Sequence, residues 1–125
     1  MDRKKLFKIL AYLIILIFLI NFIAGKLYWY FSIWWFDMSM HFTGGFWLGL
    51  AMTWLLYTVD LSPKFVLKII LSVLLFGVLW EIFEILVNNI IAQNPFSLLD
   101  TISDIFFDLS GGFCAILYLW RKQLK

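Results

Sequence analysis

Six carboxylates and one imidazole recur at helical spacing in an otherwise apolar chain: Asp37-x-x-x-His41, Glu81-x-x-Glu84, and Asp100, Asp104 and Asp108 four apart. Side chains three or four residues apart share one helix face. Asp37 and His41 therefore continue into Gly45 and Gly49, Glu81 and Glu84 lie on a stripe between Gly77 and Asn88, and Asp108 is followed one turn on by Gly112. Carboxylate oxygens with a single imidazole suit a hard divalent cation, so Mg, Mn or Ca is favoured. A structural zinc site would want more sulfur or nitrogen, while catalytic zinc or iron stays compatible. The candidate set for metal or proton binding is Asp37, His41, Glu81, Glu84, Asp104 and Asp108. If the chain is an enzyme, the chemistry expected is metal-assisted hydrolysis or transfer at a lipid-linked phosphate, with His41 or a free carboxylate as general base.

The elements that must hold these residues follow from composition. Of 125 residues, 64% are hydrophobic, 21% aromatic and only 14% charged, which excludes a water-soluble domain of this size. A span takes roughly 20 apolar residues, so the length allows four or five spans and no separate soluble domain. Four segments qualify, at about 6–24, 37–58, 65–87 and 101–120, giving a single transmembrane domain over 1–125. The fold expected is an all-α, four-transmembrane-helix bundle. Segment 25–36 has the Trp and Tyr density of a membrane-interface belt. Asp60, Ser62 and Pro63 mark a short turn, and Asn88, Asn89, Gln93, Asn94 and Pro95 a longer loop. The basic N-terminus outlines a signal peptide, but bulky Phe22 and Ile23 stand where a cleavage site wants small residues, so an uncleaved helix is expected.

Arg3, Lys4, Lys5 and Lys8, then Lys64 and Lys68, then Arg121, Lys122 and Lys125 fall on one side of an even number of spans, whereas the other side carries only Lys26. The positive-inside rule then gives a multi-pass cell-membrane protein with both termini cytoplasmic. A net charge of +2 made of flanking lysines offers no nucleic-acid footprint. Cys114, the lone cysteine, reads as a small packing residue.

In this orientation the six acids lie in the outer half of the bilayer, where an ionised group is costly unless it faces the bundle interior or a wet cavity. No arginine or lysine sits in the outer halves of the spans, so His41, protons, a metal or a cationic ligand must offset the charge. Bland readings compete. Asp37 and Asp100 suit helix N-caps. His41 could be a hydrogen-bonded interior histidine, and Gly45-x-x-x-Gly49 and Gly111-Gly112 suit close helix packing.

Asp37-x-x-x-His41-Phe42-Thr43-Gly44-Gly45-Phe46 matches Asp104-x-x-x-Asp108-Leu109-Ser110-Gly111-Gly112-Phe113 in pattern. Two segments running the same way suggest two helical hairpins related by an axis along the membrane normal, with the site between them. Span three adds Glu81 and Glu84, where span one offers only Asn21. With Glu81-x-x-Glu84 and Asp100-Thr101, these motifs make residues 37–113 resemble the small VanZ-like and YjdF-like membrane families. That resemblance implies a bacterial-type envelope protein near lipid-linked cell-wall precursors, and supplies no reaction.

The leading expectation is an outward-facing acidic pocket that binds a divalent cation or protons and engages a polar lipid headgroup or envelope glycolipid. Membrane lipids and a lipid-linked envelope precursor are the expected partners. The absence of an arginine in the pocket to clamp phosphate stands against the enzyme. A proton or cation pathway component, or transporter subunit, is the second reading, and a non-catalytic scaffold the third.

Overall fold

The computed structural model describes residues 2–56, 61–92 and 96–123. These residues form helices: α1 (Arg3–Leu27), the single turn α2 (Trp29–Ser32), α3 (Phe36–Leu56), α4 (Pro63–Val87) and α5 (Leu98–Gln123). Asp60, Gln93, Asn94, Pro95, Lys125 and the expected end of span two at Thr58 lie outside the described residues.

Local chemistry sets the helix ends. The Asp2 side chain accepts from the Lys4 backbone N–H at the start of α1, and Tyr28 ends that helix in the left-handed region (φ 58°). Ser62 caps α4 by accepting from the Phe65 N–H, with Pro63 in the first turn, as the sequence suggested. Two boundaries differ from expectation. Gly25, Lys26 and Leu27 belong to α1, which leaves a shorter surface segment. Asn88 and Asn89 do not break α4; they continue it as a π-helical turn, Asn88–Ala92.

Among the described residues, three helical stretches are long and apolar enough to cross a membrane: Arg3–Leu27, Pro63–Ile91 and Leu98–Lys122. The 21-residue α3, described over Phe36–Leu56, is not among them. It is nonetheless the hub. α3 packs most extensively on α5 and also meets α1 and α4. By contrast α1 is peripheral, burying only Leu6, Leu10 and Ala24 while Tyr12, Phe18 and Phe22 stay more than 60% exposed, a surface suited to lipid rather than water.

The neighbours of individual residues fix the directions. Gly45 lies against Asp108 and Gly49 against Gly112 and Ala115, so α3 and α5 run parallel. Gly77 lies against Asp108 and Val73 against Gly112, so α4 runs antiparallel to α5. The Trp47 indole donates to the Leu10 carbonyl (2.9 Å), and the Phe7 ring meets that of Trp54, so α1 and α3 are antiparallel. The result is the expected pair of antiparallel hairpins with parallel second helices.

One end of this assembly is filled by hydrocarbon. Leu6, Leu10, Leu50, Ala115 and Leu119 form one cluster, and Phe65, Ile69, Val73 and Ile116 another. The acids occupy the opposite end.

Candidate metal centre

Small residues bring the helices close enough for short acidic side chains to meet. A Cβ on Gly45 would run into the Asp108 backbone carbonyl, and one on Gly111 into the Phe42 carbonyl. The two backbones therefore approach as only glycine allows. α4 is admitted in the same way: a Cβ on Gly77 would lie 2.8 Å from Asp108 Oδ2, and one on Gly112 would lie 2.9 Å from Val73 Cγ2. The packing role expected of Gly45, Gly49, Gly111 and Gly112 is what the structure shows, whereas Gly44 faces open space.

One turn toward the acidic end, His41 sits among three carboxylates. Its Nδ1 is 3.0 Å from Asp108 Oδ1, and its Nε2 is 3.4 Å from Asp104 Oδ2 and 3.7 Å from Asp37 Oδ1. Nδ1 and Asp108 Oδ1 are hydrogen-bonded, and the tautomer with the proton on Nδ1 makes the ring the donor. In the neutral ring, Nε2 then points a lone pair at the remaining acids. Lone pair and carboxylate oxygens facing one another repel unless a proton or a cation lies between them.

α4 closes the site. Glu81 is 4% exposed and its Oε1 has no hydrogen-bond partner; the same holds for Oδ2 of Asp104, which is 1% exposed. Glu84, one turn on, accepts a hydrogen bond from the Trp80 indole (2.9 Å). His41, Glu81, Glu84 and Asp104 each offer one donor atom, and these four atoms lie within 4.8 Å of one another; Asp37, Asp100 and Asp104 form a second such group.

All six residues singled out in the sequence thus lie at one end of the bundle, but in two different roles. Asp108 stands behind the imidazole rather than with the other donors, fixing the ring through Nδ1. Asp100, read as an N-cap, is not the cap of α5: its backbone N–H is accepted by Ser97 Oγ (3.3 Å), and its carboxylate is one of the second group. Asp37 likewise lies inside the first turn of α3 with its carboxylate toward His41. Since α3 and α5 both begin at this end, their positive N-terminal ends favour ionised acids there.

Trp80 was missed by sequence reasoning, although its spacing of four from Glu84 was a signal. The surface segment was read as an interface belt, but the place of Tyr30 and Trp34 beside the acids was not foreseen. Tyr30 donates to Asn21 Oδ1 (2.6 Å), and burial, followed by the charges of Asp37 and Glu84, raises its hydroxyl above the ordinary phenol value. Tyr30, Trp34, Trp80 and Phe83 with Asp37, Glu84 and Asp100 line a groove of about 560 Å³ beside the acids.

No curated protein and no solved structure matches the chain. A family model described as a predicted membrane protein, DUF2238, matches residues 1–125. The match takes in α1, which carries none of the motifs discussed above. The chain therefore belongs to the DUF2238 family of predicted membrane proteins.

Proposed function

We propose that this chain is an integral membrane protein that binds a divalent cation at His41, Glu81, Glu84 and Asp104, and through it engages the phosphate-bearing headgroup of a membrane lipid or lipid-linked envelope precursor. The observation that carries the reading is the pair of sequestered oxygens, Glu81 Oε1 and Asp104 Oδ2, which face the cluster without a hydrogen-bond partner. Leaving such a group unsatisfied costs about 1–3 kcal/mol, and more when it is charged, whereas a hard cation takes oxygen ligands of this kind. A bound cation also answers the lack of an arginine, since the metal itself can receive a phosphate oxygen. The adjacent groove, lined by aromatic residues, is where such a headgroup would enter. In an enzyme of this kind the metal would polarise the phosphate, and a carboxylate left free of metal would serve as base, because His41 Nε2 would be committed as a ligand.

In this reading α3 is the fourth span, enclosed by α1, α4 and α5. Both termini are cytoplasmic, and the acidic end faces outward. The resemblance of residues 37–113 to VanZ-like and YjdF-like proteins is what supports a cell-envelope location in this reading. A transmembrane relay is less well supported. Among the described residues the other half of the bundle offers the Thr53 and Ser72 hydroxyls, and both donate to carbonyls of their own helices.

The test is the metal content of detergent-purified protein, comparing wild type with Glu81→Gln. Stoichiometric metal that is lost in the variant, with helicity retained, is expected. Equal metal content in both proteins, or none in either, would sink the reading.

A further inference from the structure

We propose that the acidic end holds two divalent cations, bridged by the Asp104 carboxylate. This rests on the cation site proposed above and adds a second position to it. The two groups of donor atoms, His41/Glu81/Glu84/Asp104 and Asp37/Asp100/Asp104, share that one residue. A carboxylate has two oxygens and about four lone-pair directions, enough to serve an ion on each side. Asp104 is the most buried acid, at 1% exposed, and its Oδ2 has no hydrogen-bond partner. A sequestered carboxylate that belongs to both groups of donor atoms is the one that can bridge them.

Charge points the same way. A single divalent ion neutralises two of the six carboxylates Asp37, Glu81, Glu84, Asp100, Asp104 and Asp108, and two ions neutralise four. Lys26, the basic residue in the last turn of α1, has its Nζ over the Phe22 ring at 5.7 Å. The first ion would be enclosed by α3, α4 and α5. The second would be held by partly exposed Asp37 and exposed Asp100, both of which line the groove, so its remaining coordination positions face an incoming ligand. Paired ions about 3.5–4 Å apart are the arrangement that clamps a phosphoryl group on both sides.

The experiment uses the full chain in detergent, stripped of metal and titrated with Mn²⁺, with metal counted per chain and read by low-temperature electron paramagnetic resonance. Wild type should take up two Mn²⁺ with an exchange-coupled spectrum. Asp100→Asn, an exposed position at a helix end that the fold tolerates, should take up one, with an uncoupled six-line signal. One Mn²⁺ in wild type, unchanged by Asp100→Asn, would overturn the second site and leave the first standing. Two uncoupled ions would overturn the bridge. No Mn²⁺ uptake at all would overturn both this inference and the site on which it rests.

Discussion

Residues 37–46 of α3 and 104–113 of α5 carry the same pattern and lie side by side, yet they differ where it matters chemically. His41 and Asp108 occupy equivalent places in the two segments and are bonded to each other at 3.0 Å. Two ionised carboxylates there would set acceptor against acceptor. Replacing one carboxylate with an imidazole turns that pairing into a hydrogen bond. One turn away, the equivalent pair Asp37 and Asp104 has had no such exchange. Both remain acids, His41 Nε2 faces both, and Asp104 keeps an oxygen without a partner. The comparison separates a pair that is hydrogen-bonded internally from a pair of acids that the proposed cation would join.

The glycines diverge in the same manner. Gly111 is pressed against the Phe42 carbonyl of α3 while its counterpart Gly44 meets nothing, and Gly112 meets Val73 of α4 where its counterpart Gly45 meets Asp108 of α5.

The largest effect should come from removing the unpartnered acids together. Glu81→Gln with Asp104→Asn should abolish Mn²⁺ uptake measured by equilibrium dialysis, since the enclosed ion loses two of its four ligands. Next, Gly111→Ala should cost about 1–3 kcal/mol through overpacking against backbone, read as a lower melting temperature in detergent. Gly44→Ala should leave that temperature within a degree or two, and equal losses for the two variants would contradict the asymmetry. Asp108→Asn should weaken Mn²⁺ binding about 10–100-fold by freeing the imidazole, as loss of an orienting partner does. The exchange His41→Asp with Asp108→His should recover part of the stability lost in either single change. The smallest effect belongs to Trp80→Phe, which removes one hydrogen bond to Glu84 worth about 1 kcal/mol, so affinity should fall a few-fold at most.

Much of this arrangement was legible from spacing. Intervals of four in Asp37, His41, Gly45 and Gly49 placed them on one face, and the match with residues 104–113 anticipated parallel neighbours at one depth. That α3 is the hub was not read from the sequence, although a segment rich in glycine and carrying Asp37 and His41 loses least by being enclosed. Other features had no local signal. Asn88 and Asn89 look like helix breakers, yet nearby backbone bonding lets α4 run on through them. Asp100 resembles a cap, but Ser97 lies three residues before it and takes that place. Trp80 did carry one signal, its spacing of four from Glu84, but its composition is that of a lipid-facing aromatic. The separation of the acids into two groups sharing Asp104 depends on the rotation of three helices, which periodicity leaves free.

The central claim, that a divalent cation stabilises the acidic end, is tested most directly by thermal unfolding of metal-stripped protein across a Mn²⁺ series at constant ionic strength. Ligand binding to the folded state should raise the melting temperature progressively, by the equivalent of about 2.7 kcal/mol at a hundredfold excess over the dissociation constant. The rise should be absent in Asp104→Asn and should not be reproduced by Na⁺. A melting temperature that is flat across the series in wild type, or a rise equally large in Asp104→Asn, would contradict the account.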